Sequence, residues 1–113
     1  MSIRTDRVGD LIVREVSAII DRELKDPLVG FVTVTSARVT EDLRYADVYV
    51  SVLGNENKRK KSMEGLTRAS RFIRSLVGQR IRLRYVPEIR FRFDDSLIRG
   101  EKIDRLLKEI KNE

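Results

Sequence analysis

Residues Lys58–Phe93 read KRKKSMEGLTRASRFIRSLVGQRIRLRYVPEIRFRF, and the fold turns on how this stretch is read. Leu66, Ala69, Ile73, Leu76 and Val77 recur at i, i+3, i+7, i+10 and i+11, the spacing of one helix face. The stripe predicts a helix from about Ser62 to Val77. At about 100° per residue, Arg71 falls opposite the stripe, with Arg68 and Arg74 beside it. Gly78 interrupts the pattern. Beyond it, Arg80-Ile81-Arg82-Leu83-Arg84 alternates like a strand, while Val77, Ile81 and Tyr85 keep the i, i+4 spacing of a helix. The helical spacing is preferred, which gives a short second helical piece to about Arg84, stopped by Pro87. Glu88-Ile89-Arg90-Phe91-Arg92-Phe93 then alternates as a strand with Ile89, Phe91 and Phe93 inward.

Upstream, Thr5 or Asp6 caps a first helix that runs to about Leu24. Its apolar stripe is Val8, Leu11, Ile12, Val16, Ile19, Ile20 and Leu24. Asp26-Pro27 ends it, and Gly30 allows a turn. Residues 31–39 are rich in β-branched side chains, and residues 45–52 place Ala46, Val48, Val50 and Val52 on one face. The connection Thr40-Glu41-Asp42-Leu43-Arg44 favours an antiparallel hairpin. Downstream, Asp94, Asp95 and Ser96 cap a last helix with the stripe Ile103, Leu106, Leu107 and Ile110. The expected order is α-β-β-α-α-β-α: an α+β fold, its helices packed on one face of a mixed three-stranded sheet. The third strand returns after a helical crossover, which allows a parallel pair. At 113 residues, the chain is expected to form one domain over 1–113.

Charge is concentrated in the opening stretch. It holds twelve Lys and Arg against Glu64 and Glu88, a balance of +10, whereas the chain carries +6, so the remainder sums to −4. That asymmetry points to a polyanionic partner. An ordinary solvated helix face would account for Arg68, Arg71 and Arg74 alone. Lys58, Arg59, Lys60, Lys61, Arg80, Arg82, Arg84, Arg90 and Arg92 in the same stretch weigh against it.

The chain has no Cys and no His, which removes disulfides, thiolate chemistry, the commonest general base and the commonest zinc ligand. No phosphate-binding loop is present, and the glycines are too scattered for a dinucleotide fingerprint. Asp94 and Asp95 suit Mg²⁺, but a helix cap explains them better. Alternation places Phe91 and Phe93 on the core side, away from any base-stacking role. No catalytic residue, metal site or cofactor is assigned. No apolar run approaches a membrane span, and charges interrupt MSIRTDRVGDLIVREV, so neither membrane nor secretion is expected and the cytoplasm is the expected compartment. The residues alone leave open a basic adaptor, a helix-turn-helix DNA-binding module and a carboxylate-dependent nuclease.

Two blocks resemble the bacterial ribosome-binding factor A family. The first is KDPLVGFVTVTSARVTEDLRYADVYVSVLG, Lys25–Gly54, with a DP-x-x-G turn, a V-T-V strand, a D-L-x-x-A segment and a V-Y-V-S strand. The second is FIRSLVGQRIRLRYVPEIRFRFDDSLIRGEKIDRLL, Phe72–Leu107, with I-R-S-x-x-G, R-L-R-x-x-P-E-[LI]-x-F and D-x-S-x-x-x-G. The resemblance implies a type II KH-like fold. It implies a non-enzymatic factor that binds free small (30S) subunits and their 16S rRNA late in maturation, supporting rRNA end processing and cold adaptation. Small-subunit rRNA is the implied partner, with neighbouring ribosomal proteins in reach and the protein acting as a monomer. The acidic or disordered tail of some relatives is expected to be missing, since Glu113 follows directly on the last helix. The family's A-x-G kink, which stands where KH domains carry a GxxG clamp, matches Ala69, Ser70 and Arg71. Arg71 replaces the last Gly, which withholds backbone freedom and adds a guanidinium fork, so the sequence leaves the kink open. The expected RNA-binding set is Lys58, Arg59, Lys60, Lys61, Arg68, Ala69, Ser70, Arg71, Arg74, Arg80, Arg82 and Arg84.

Overall fold

The computed structural model describes residues 2–111, apart from the side chains at positions 97 and 98. Helix α1, Ile3–Arg22, begins three to four residues earlier than expected. Its cap is Ser2, whose Oγ accepts the Thr5 N–H at 3.2 Å, rather than Thr5 or Asp6. Thr5 is buried instead, its hydroxyl donating to the Ser2 carbonyl at 2.9 Å. Val8, Ile12, Val16, Ile19 and Ile20 line the core, while Leu11 of the expected stripe stays on the rim.

Strands β1 (Val32–Val39), β2 (Tyr45–Val52) and β3 (Glu88–Phe93) form a sheet in the order β1-β2-β3. The first pair is the expected antiparallel hairpin, and β3 lies parallel to β2. Leu43 takes a φ of 60° in the hairpin turn. There the Asp42 carboxylate accepts from the Thr40 hydroxyl at 2.7 Å and the Arg44 N–H at 3.1 Å, holding the turn. Ala46, Val48, Val50, Ile89 and Phe91 face the helices, as alternation requires. On the opposite face Asp47 binds both Arg90, at 2.8 Å, and Arg92, at 3.4 Å, and the Arg90 guanidinium lies 4.4 Å from the Tyr45 ring centroid. Those two arginines are therefore tied to the sheet.

Helix α2, Glu56–Arg80, is continuous, and Leu66, Ile73 and Val77 are fully buried as the stripe predicts. Ser62 joins them: its Oγ accepts the Gly30 N–H at 3.1 Å, which satisfies a buried hydroxyl. Gly65 permits the close pass of residues 26–30, because a Cβ there would stand 2.6 Å from a Val29 methyl. The separate helical piece to Arg84 is not formed. The Ile81 N–H still bonds to the Val77 carbonyl at 2.9 Å, but Ile81 itself is extended (φ −116°, ψ 130°). The helical spacing of Val77 and Ile81 marks buried residues correctly, yet Ile81 reaches the core from an extended backbone. From there the chain returns to the sheet, where the Glu88 N–H donates to the Arg44 carbonyl at 2.7 Å. The observed order is therefore α-β-β-α-β-α within the expected α+β class.

Helix α3, Ser96–Lys111, follows directly. Asp94 accepts the Ser96 N–H at 3.0 Å and the Thr35 hydroxyl at 2.7 Å, and Asp95 pairs with Arg99 at 2.9 Å. The two aspartates thus act at the helix start. Ile103, Leu106, Leu107 and Ile110 are each more than half exposed, so helices cover the sheet face through α1 and α2 but not α3. The inner face of a three-stranded sheet is filled by two helices, which leaves no apolar surface there for a third. Leu66→Ala should accordingly cost about 2–5 kcal/mol, and Leu107→Ala less than about 0.5 kcal/mol, in urea unfolding monitored by circular dichroism.

Candidate nucleic-acid interface

The basic residues of α2 divide according to what they touch. Asn55 caps the helix, its side-chain oxygen accepting the Lys58 N–H at 2.9 Å, and this places Lys58, Lys60 and Lys61 in solvent on the first turns. Along the outer face, Lys60, Glu64, Thr67 and Arg71 follow one another at helical spacing, each exposed. Arg82 and Arg84 are exposed on the connection from α2 to β3. Among the described residues, Lys58, Lys60, Lys61, Arg71, Arg82 and Arg84 make no ion pair within the chain. Their donors are available to an external anion.

The other candidates have internal partners. Arg68 meets Asp26 with two guanidinium nitrogens, at 2.8–3.3 Å. Arg80 pairs with Glu23 at 3.0 Å and lies 3.9 Å from Glu15. Arg74 donates twice to the Val86 carbonyl, at 3.2 and 2.7 Å. Arg59 is half-buried, its guanidinium 5.4 Å from the Phe93 ring centroid. These four fasten α2 to the rest of the domain before they face any ligand. Ala69 is partly buried against the core, and the Ser70 hydroxyl donates back to the Thr67 carbonyl at 2.8 Å within an unbroken helix. Ala69-Ser70-Arg71 is therefore a continuous helical segment, and Arg71 presents its side chain rather than a bend. A helix-turn-helix reading also loses its second helix, since an extended connection follows α2.

The Arg68 guanidinium, followed by the Leu28 N–H, holds the Asp26 carboxyl below its ordinary value of 3.8. The carboxyl side chain is 13% exposed. A carboxylate favoured in the folded state contributes stability at pH above about 4, and that contribution is lost as pH falls through the lowered value. Asp26→Asn should therefore flatten the acid limb of the stability–pH curve. Unfolding midpoints from pH 7 to 2 check this.

Two concave surfaces flank the outer face of α2. A groove of about 810 Å³ between α2 and the end of β3 is lined by Met63, Thr67 and Phe93 together with the basic Arg59, Lys60 and Arg68 and the acidic Glu56 and Glu64. A cleft of about 850 Å³ lies between the later turns of α2 and the connection, lined by Arg71, Arg74, Gly78, Arg84, Tyr85 and Glu88 among others. Sequence reading missed Tyr85 as a surface group, because it was assigned to the helical continuation. Its place two residues before Pro87, at the end of an alternating basic run, is the signal that an exposed connection would have carried. Among the described residues there is no cluster of three or more carboxylates fit to hold a metal ion, and no helix is long and apolar enough to cross a membrane. The exposed cations of this arrangement are chemically suited to phosphates.

Comparison with known proteins agrees with the fold. A ribosome-binding factor A from Halothermothrix orenii is 52% identical over 110 residues, covering 97% of this chain and 90% of that protein. The crystal structure of ribosome-binding factor A from Thermus thermophilus superposes with a TM-score of 0.69 at 25% identity, covering 78% of this chain and 93% of that one. A homology model of the Thermus thermophilus protein, fitted into the cryo-EM map of a 30S–RbfA complex, gives a TM-score of 0.65 at 25% identity, covering 77% of this chain and 91% of that one. The family model for ribosome-binding factor A matches residues 4–107. This chain belongs to the ribosome-binding factor A family.

Proposed function

We propose that residues 1–113 act as one KH-like unit that binds the free 30S subunit late in its maturation, chiefly through the phosphates of 16S rRNA. In this reading the protein is a cytoplasmic, monomeric, non-enzymatic assembly factor that needs no cofactor. It favours one folded state of the rRNA, which supports processing of the RNA ends and growth in the cold. The observation that carries the reading is the set of exposed cations on α2, Lys58, Lys60, Lys61 and Arg71, that make no ion pair among the described residues, continued by Arg82 and Arg84. Phosphate contacts of this kind supply affinity and orientation but little base specificity, so RNA shape and neighbouring ribosomal proteins set the site. Binding that is tighter to one RNA conformation shifts the population toward it without catalysis.

Sedimentation of cell extract through a sucrose gradient tests the reading. The protein should travel with free small subunits and be released when they are treated with ribonuclease. Migration with full ribosomes, or capture by a protein partner that survives ribonuclease, would contradict it.

A further inference from the structure

The cleft beside the 81–87 connection holds features that phosphate binding alone does not require. Tyr85 is 51% exposed; Phe31 and Phe72 are exposed to a comparable or greater degree, but Tyr85 alone of these three lines this cleft. The Arg74 guanidinium stands 5.7 Å from its centroid, and the same arginine clamps the neighbouring Val86 carbonyl with two hydrogen bonds. The ring is therefore held in place beside α2 rather than free on a loop. Gly78, also in the lining, lets Val86 pack close to α2, since a Cβ there would lie 3.2 Å from a Val86 methyl. Arg71 on the helix and Arg84 on the connection stand at the two walls with no ion pair among the described residues. Glu88 is the one acid in the lining and supplies an acceptor.

We propose that this cleft takes one unpaired ribonucleotide, its base stacked on the exposed part of Tyr85 and its flanking phosphates held by Arg71 and Arg84. The proposal rests on the RNA-binding reading above and adds a site for a splayed-out base to it. Single-stranded RNA is recognised through bases turned out of the stack onto aromatic rings, with hydrogen bonds to base edges and the 2′-hydroxyl. Glu88 suits that chemistry, since a carboxylate accepts from an exocyclic amino group or a 2′-hydroxyl and disfavours a bare polyanion. The cleft volume of about 850 Å³ also exceeds what an inorganic phosphate fills and lies in the range of about 300–1,000 Å³ typical of small-molecule sites.

The test uses the full chain, a fluorescein-labelled single-stranded tetraribonucleotide, and purified 30S subunits in parallel. Tyr85→Ala should weaken binding to the tetranucleotide about 10-fold or more, and Tyr85→Phe should restore it, because the ring and not the hydroxyl stacks. Tyr85→Leu, which keeps apolar bulk, should behave like the alanine variant. None of the three should change the salt slope, whereas Arg71→Ala and Arg84→Ala should each reduce it by about one. Unlabelled duplex RNA, tripolyphosphate and polyglutamate should compete poorly. Wild-type affinity in Tyr85→Ala would overturn the base site, as would equal competition by tripolyphosphate or by polyglutamate. If the wild-type chain binds 30S subunits while Tyr85→Ala leaves tetranucleotide affinity unchanged, the base site alone fails. If the wild-type chain does not bind 30S subunits, the assembly-factor reading fails with it.

Discussion

Replacing Phe91 by alanine should lower the free energy of unfolding by about 3–5 kcal/mol. Phe91 lies on β3, an edge strand, opposite Val48 of the central strand, and is almost wholly buried. Its ring lies in the layer where α2 packs on β3. The loss therefore combines the transfer of an aromatic side chain with a cavity. Urea unfolding should show a lower midpoint with an unchanged dependence on denaturant, since the surface exposed on unfolding hardly changes. A loss below about 1 kcal/mol would contradict the packing of β3 against α2. Arg92→Ala on the same strand, pointing to the opposite face, should cost far less.

The second large effect belongs to the solvent face of α2. Changing Lys58, Lys60, Lys61 and Arg71 together to alanine should reduce the salt slope of 30S binding by about four. Near 0.1 M salt, that corresponds to a loss of affinity on the order of 10³. Stability should stay within about 0.5 kcal/mol per site, because these side chains stand in solvent and pair with nothing among the described residues. Arg68→Ala and Arg80→Ala form the matched control. They break contacts to Asp26 and Glu23 and should move stability rather than the salt slope. Equal effects of the two sets on binding would remove the distinction between free and internally paired cations.

The sheet and the buried side of α2 were legible because their patterns are local. Ile89 and Phe91 alternate with arginines, and Leu66, Ile73 and Val77 recur at helical spacing, so a window of ten residues suffices to place them. The crossover before β3 allowed a parallel pair, and β3 does pair parallel to β2. Three things escaped. The end of α2 did, because Ile81 satisfies helical and extended spacing alike, and burial of its side chain rather than backbone preference decided between them. The exposure of the α3 stripe did, because an apolar face in sequence says nothing of whether the core has room for it. The division of the basic residues did, because Arg68 and Asp26 are 42 positions apart and no pattern couples them. Charge count marked a basic stretch; only the fold separated its cations with partners inside the chain from those that make no ion pair among the described residues. Tyr85 became visible as a surface ring for the same reason, once the connection proved extended.

The chain has no cysteine, so a cysteine-reactive photocrosslinker can be placed at one position at a time. Thr67→Cys puts it on the outer face of α2 between Lys60 and Arg71, and Thr33→Cys puts it on the exposed face of β1, behind the sheet. With purified 30S subunits, the expected result is a crosslink to 16S rRNA from position 67 and none from position 33. A crosslink to rRNA from position 33 alone, or from position 67 only to protein, would contradict an RNA interface on α2.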